Sequence, residues 1–202
     1  MSRLGSGILT LVLLAASPVA RAEDGANAPQ QQQKAPAAPP TALQVARKYA
    51  RQLKDGDPVD AVRRYWDLDM TLDSAFGKGL TNVTAADRQE MKRLLLEYVE
   101  RVYTDPNLAA RLTQATLEGF RAKEHEGPPR TATVNYYLIF KGDRTLCTVL
   151  MRQSADQQWR IMDGGAMGRM LVPGIRKEYN GQADRMTPLE FMQDLATRPP
   201  RS

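Results

Sequence analysis

The sequence predicts an α+β domain, with N-terminal helices packed on a curved antiparallel sheet. Three observations lead there. Apolar residues recur at helical spacing from Thr41 to about Phe120, the period switches to two at Thr131, and a capped helix closes the chain from Thr187.

In the first helix, Leu43, Ala46, Ala50 and Leu53 share a face, and Lys54-Asp-Gly-Asp-Pro58 ends it. Pro58 opens a second helix, because its missing N–H falls where a helix has no internal partner. That helix is expected to run from Pro58 to about Phe76, with Val62, Tyr65, Trp66 and Met70 on one side, and to bend at Gly77-Lys-Gly79. The third starts at Thr84-Ala-Ala-Asp87, where Thr84 can cap and Asp87 meets the positive helix end. Met91, Leu94, Leu95, Tyr98 and Val102 form its apolar stripe. Thr104-Asp-Pro-Asn107 breaks it; Leu108, Leu112, Ala115 and Phe120 suggest a further helix over 106 to 120, followed by a charged loop at 121 to 130.

From Thr131 to Phe140, Ala132, Val134, Tyr136, Leu138 and Phe140 form one apolar face at a two-residue period. Lys141-Gly-Asp-Arg144 is a turn, Thr145 to Gln153 a second strand, Ser154 to Gln158 a turn, and Trp159 to Asp163 a third strand, so the strands form an antiparallel meander. Thr187-Pro-Leu-Glu190 unites an N-cap, a first-position proline and a capping-box acid ahead of Leu189, Met192 and Leu195.

Ahead of the domain, Arg3, the apolar run Ile8 to Ala16 and Ala20-Arg21-Ala22 read as a secretory signal peptide over 1–22. The run is far short of the ~20 residues that span a bilayer, so a soluble, exported protein is expected, with a bacterial periplasm as its compartment. No cysteine stands directly after the expected cleavage site to carry a lipid anchor. Residues 23–40, rich in Ala, Pro and Gln, hold no large apolar side chain and are expected to form a disordered linker. The remaining 41–198 suit a single domain.

Cleavage would remove Arg3 and Arg21 and no acid, lowering the formal charge of +5 to +3. The bases are interspersed with acids, which argues against nucleic acid as a partner. Cys147, the one cysteine, reads as a small buried apolar residue. With His125 the one histidine, in a polar loop, zinc sites and Ser-His-Asp triads lack their components, and no cofactor is expected.

Gly164-Gly-Ala-Met-Gly168 lacks the spacing of a dinucleotide or phosphate loop, and glycines after a strand more often mark a bulge or a close backbone approach. Asp69 and Asp73 lie one helical turn apart; two carboxylates in one pocket can divide acid and base roles, while on a solvated face they do nothing of the kind. Trp66, Met70, Phe76, Tyr98, Tyr136, Phe140, Met151 and Trp159 fall on inward faces. Core packing and an apolar ligand cavity between sheet and helices account for them equally well.

The order of these segments is similar to that of the MlaC family of periplasmic phospholipid carriers. The resemblance covers most of 41 to 198. It rests on Tyr65-Trp-Asp-Leu-Asp-Met-Thr71, the capped Ala85-Ala-Asp-Arg-Gln-Glu-Met91 helix, the meander, and Trp159-Arg-Ile-Met-Asp163 with Gly168 five residues on, followed by Leu171-Val172, Arg176 and Tyr179. Gly164-Gly165 and Pro173-Gly174 depart from the family pattern. The resemblance implies an NTF2-like, cone-shaped domain whose cargo is phospholipid. It implies as partners an outer-membrane lipoprotein complex and an inner-membrane ABC transporter, hence a role in outer-membrane lipid asymmetry without catalysis. It places the glycines at the bend between the last strand and an amphipathic helix. Candidate cavity residues are Trp66, Met70, Phe76, Leu95, Tyr98, Tyr136, Leu138, Phe140, Met151 and Trp159. Two alternatives stay open. One is a non-catalytic interaction domain with a filled core. The other is a cavity enzyme with Tyr98 or Tyr136 as donor and Asp69 or Asp73 as base.

Overall fold

A computed structural model describes residues 39–198; the segments expected to be a signal peptide (1–22) and, for nearly all its length, a linker (23–40) lie outside the described residues. The helices are α1 (Ala42–Lys54), α2 (Pro58–Tyr65), α3 (Leu68–Phe76), α4 (Ala85–Tyr103), α5 (Pro106–Gln114), α6 (Leu171–Asn180) and α7 (Pro188–Thr197). The strands are β1 (Thr116–His125), β2 (Thr131–Phe140), β3 (Asp143–Gln153), β4 (Trp159–Ala166) and β5 (Arg169–Met170). They form one curved antiparallel sheet in sequence order, and the helices make this an α+β fold. Among the described residues no helix is long and apolar enough to cross a membrane.

The capped helices start where their side chains dictate. Thr41 and Thr187 each form a full capping box, with Gln44 and Glu190, and Thr84 Oγ1 accepts from the Asp87 N–H at 3.1 Å. Two expectations need correction. The helix foreseen from Pro58 to Phe76 is broken at Trp66, which is extended and bridges to Ile161 of β4, while the Asp67 N–H donates to the Ile161 carbonyl at 2.8 Å. Asp67 then caps α3, its Oδ1 accepting from the Met70 N–H at 3.0 Å. The interruption gives backbone partners to the part of the β4 edge that β5 does not reach.

The second correction is β1. No helix runs to Phe120 and no loop follows it; residues 116–125 pair with β2, and His125 ends a strand. β1 is an edge strand, mostly exposed and charged, so no alternating apolar face announces it. Gly119, at φ 64, sits in a register shift between Glu118 and Arg121, a bulge that bends the strand. Phe120 stacks on Tyr136 with ring centroids 4.8 Å apart.

Two packed clusters flank the middle of the domain. In one, Val45, Ala46 and Tyr49 of α1 and Val62 of α2 cover Val134, Val149, Met151 and Ile161 of the sheet. The other is built mainly by helices: Leu72 and Phe76 meet Met91, Leu95, Tyr179 and Phe191. There Phe76, Tyr179 and Phe191 form an edge-to-face triad with centroids 4.9 to 6.0 Å apart.

The glycine-rich run divides its work. Gly164 and Gly165 belong to β4; the turn is Met167-Gly168, both at positive φ, as a two-residue type I′ hairpin requires. A Cβ on Gly165 would sit 2.0 Å from the Arg169 carbonyl oxygen. Gly165→Ala is therefore expected to force β5 away from β4 and cost about 1–3 kcal/mol, read as a fall in Tm. An unchanged Tm would contradict the close approach.

Candidate functional site: an apolar cavity between sheet and helices

Between the sheet and α4, α5 and α6 lies a cavity of about 580 Å³. Where β3 and β4 form it, the sheet wall is made of small residues: Cys147 and Val149 of β3 stand opposite Ala166 and Gly164 of β4. The facing helices contribute Tyr98, Val99, Val102 and Tyr103 of α4, Leu108 and Leu112 of α5, and Ile175 of α6. The space is hollow because small side chains on β3 and β4 face helices that packed neighbours hold apart. Trp66 lies over Gly164, where a Cβ would come within 3.2 Å of its ring.

Four of the residues foreseen for a cavity line it: Trp66, Tyr98, Tyr136 and Leu138. The others are elsewhere. Met151 and Trp159 are buried in the core under α1 and α2, and Arg130 caps the Trp159 ring at 5.8 Å. Phe76 and Leu95 belong to the helical cluster. Met70 is half-buried, with Arg152 Nη1 3.4 Å from its sulfur. Phe140 is half-buried between Arg111, at 5.7 Å, and Lys141, at 5.2 Å. The sequence reading missed Tyr49, Tyr103, Cys147 and all of α5. The signal available for the sheet wall is the small-residue run Gly164-Gly-Ala166, which reads from sequence as a bulge, a close backbone approach or a bend and not as a cavity wall.

Tyr49, Tyr103, Tyr136 and Cys147 bring neutral donors to the wall. Burial pushes the Tyr49 and Tyr136 phenols well above their usual range and raises Tyr103 as well. It also raises the Cys147 thiol, which favours its protonated form. The Tyr49 hydroxyl neighbours that of Tyr103, and the Tyr136 hydroxyl neighbours Cys147. The buried Trp66 indole N–H has no hydrogen-bond partner among the described residues: Tyr49 is near it but outside bonding geometry.

The acid–base alternative is corrected at Asp69 and Asp73, which do not line the cavity. They lie on an exposed face where Arg88 pairs with both and Lys92 meets Asp69 at 3.0 Å. Their spacing serves a surface ion-pair cluster. Among the described cavity-lining residues the one carboxylate is Glu178, bound to Arg198 at 2.9 Å. No group of described His, Cys, Asp or Glu residues is placed to hold a metal ion.

Asp163, from the motif behind the family resemblance, serves as a joint. Its carboxylate is buried, accepting from the Gly164 N–H at 2.8 Å and the Val172 N–H at 3.0 Å, so it caps α6 from the neighbouring strand. Burial raises its pKa, against the opposing pull of those amides, the Leu171 N–H and Arg176. Arg176 in turn donates from Nε to the Ser74 carbonyl at 2.9 Å, tying α6 to α3. These motif positions shape the wall through α6, whose Ile175 faces the cavity.

No family model matches the sequence, and no curated protein matches it. Among solved structures, the fold is similar to that of a phospholipid-binding protein from Ralstonia solanacearum, determined in complex with a phospholipid. The TM-score is 0.58 and the identity 14%, over 75% of this chain and 92% of that one. The likeness is therefore one of fold: the helices and curved sheet of this chain are arranged as they are in that protein.

Proposed function

We propose that this protein is a lipid carrier that shelters phospholipid-derived acyl chain in the cavity between its sheet and α4–α6. The observation that carries the reading is the cavity itself: about 580 Å³, walled mostly by aliphatic and aromatic side chains, with buried tyrosines that stay neutral. Burial alone supplies the binding energy. Each methylene removed from water contributes about 0.8 kcal/mol, so a chain of about fourteen gains roughly 11 kcal/mol before the cost of ordering it. Nothing in that scheme needs catalysis.

The sequence resemblance supports a finer reading. The protein would work in the periplasm after its signal peptide is removed. It would pass lipid between an outer-membrane lipoprotein complex and an inner-membrane ABC transporter. The fold shared with a phospholipid-binding protein supports lipid as the ligand class. Native mass spectrometry of the mature protein purified from its host, followed by organic extraction, tests the carrier reading. A bound species of lipid mass at a stoichiometry near one is expected. A ligand-free mass, together with no uptake from vesicles, would refute it.

A further inference from the structure

We propose that the end of the sheet where the cavity opens is a docking face for an anionic bilayer, with Met167 entering the head-group layer and a ring of basic side chains meeting lipid phosphates. The proposal rests on the carrier reading above and concerns where cargo enters and leaves.

Among the cavity-lining residues the exposed ones are Arg111, Met167, Arg169 and Gly174, which marks the mouth. The first three gather at one end of the sheet. β2 runs toward its turn at Lys141-Gly142, β3 runs back, and β4 returns to the turn at Met167-Gly168, so both hairpin turns lie at the same end. Arg111 reaches that end from α5, its guanidinium standing over the Phe140 ring.

Among the described residues the large apolar side chains that stand exposed are Leu146, at 38%, and Met167, at 71%. They are neighbours: the Met167 N–H donates to the Leu146 carbonyl at 2.8 Å. Leu146 alternates with Thr145 and Cys147 of the cavity lining, so it points to the opposite face of the sheet. A surface that covered this end of the sheet would meet both. Two side chains make too small a patch for the apolar centre of a protein interface, but a thioether at a hairpin tip leaves water as soon as it sinks among lipid head groups.

The charges around them suit the same occupant. Arg111, Lys141, Arg144 and Arg169 are all exposed, and none forms an ion pair with a described residue, unlike Arg88, Arg93, Arg130 and Arg198. Arg111 and Lys141 stand over Phe140, and Arg144 over Tyr137 at 4.2 Å. Contact with a ring consumes no N–H, so these groups keep their donors for phosphate oxygens. The β2–β3 turn holds one acid among them, Asp143. Basic side chains held together add up at an anionic leaflet. Because Met167 both lines the cavity and stands at the tip, docking would set the mouth against the bilayer, and an acyl chain could pass without crossing water.

The test is flotation of the full mature protein with vesicles of phosphatidylcholine alone and of phosphatidylcholine with about one quarter phosphatidylglycerol, at low and at physiological salt. We expect binding to the anionic vesicles that falls at least about tenfold without phosphatidylglycerol and weakens with salt. Met167→Asn, a residue that tolerates the left-handed backbone at φ 51, should weaken it about tenfold, as should Arg169→Gln combined with Lys141→Gln. Lys123→Gln combined with Arg160→Gln removes the same charge from the opposite end of the sheet, where Lys123 faces Thr133 and Arg160 faces Arg152, and should leave binding unchanged. No binding to either vesicle, an equal loss in the two double variants, or binding unmoved by Met167→Asn would overturn the docking face; the first result would leave an acidic protein surface to account for the basic rim. Lipid-loaded protein that ignores vesicles overturns the docking alone, whereas protein that takes up no lipid refutes the carrier reading on which it rests.

Discussion

Ala166→Phe is expected to abolish lipid uptake while leaving the fold intact. Ala166 is the cross-strand partner of the buried Cys147, borders the cavity and packs by Tyr136. Its side chain therefore stands at the cavity wall, beside the buried Tyr136 and Cys147. Phenylalanine adds six carbons there, enough to interrupt the path of an acyl chain. Overpacking ordinarily costs stability because neighbours must move, but here the space is empty, and burying a new ring recovers apolar area. Bound lipid per protein should fall at least about tenfold, with the Tm unchanged or raised. Normal uptake by a well-folded variant would show that cargo sits elsewhere.

The largest stability effect is expected at Asp163. Asp163→Ala leaves the Gly164 and Val172 N–H groups without their acceptor in a buried joint. At about 1–3 kcal/mol per stranded group, the loss should come to roughly 3–4 kcal/mol in urea unfolding. Asp163→Asn keeps an oxygen in place and carries no charge to desolvate, so it should stay within about 1 kcal/mol of the parent at neutral pH.

The two chains should also respond differently to acid. Burial places the folded-state pKa of Asp163 above its ordinary value of 3.8. The folded protein therefore holds this proton more tightly than the unfolded chain does. The resulting stabilisation is full below the ordinary value and is lost as pH rises through the raised one. Relative to Asp163→Asn, the parent should lose stability as pH rises above about 4 and through the raised value. A parent that instead gains on the variant over that range would contradict the assignment.

Local chemistry was legible in the sequence and tertiary partnership was not. Thr41, Thr84 and Thr187 announce their helices because a cap acts within four residues, and the alternation of Thr131 to Phe140 announces a half-buried strand by itself. Trp66 does not announce a break, since it is made by pairing with Ile161, nearly a hundred residues later. β1 gives no periodic signal because, at a charged edge, neither of its faces is consistently buried. Site residues divide in the same way. Phe76 and Leu95 lie on apolar faces, as expected, but α6 and α7 arrive to fill the space against them. Tyr98, on the same helix as Leu95, packs at the border of that cluster and also lines the cavity. Whether an inward face meets core or cavity depends on the distance between layers, which no single segment encodes.

The central claim is that cargo chain lies between β3–β4 and α4–α6. Photo-crosslinking with palmitate bearing a mid-chain diazirine, followed by peptide mapping, tests it most directly. The account predicts adducts on Val99, Val102 and Tyr103 of α4 and on residues 147–149 and 164–166, all suppressed by Ala166→Phe. Adducts confined to the outer surface, or to the cluster of Phe76, Tyr179 and Phe191, would contradict it.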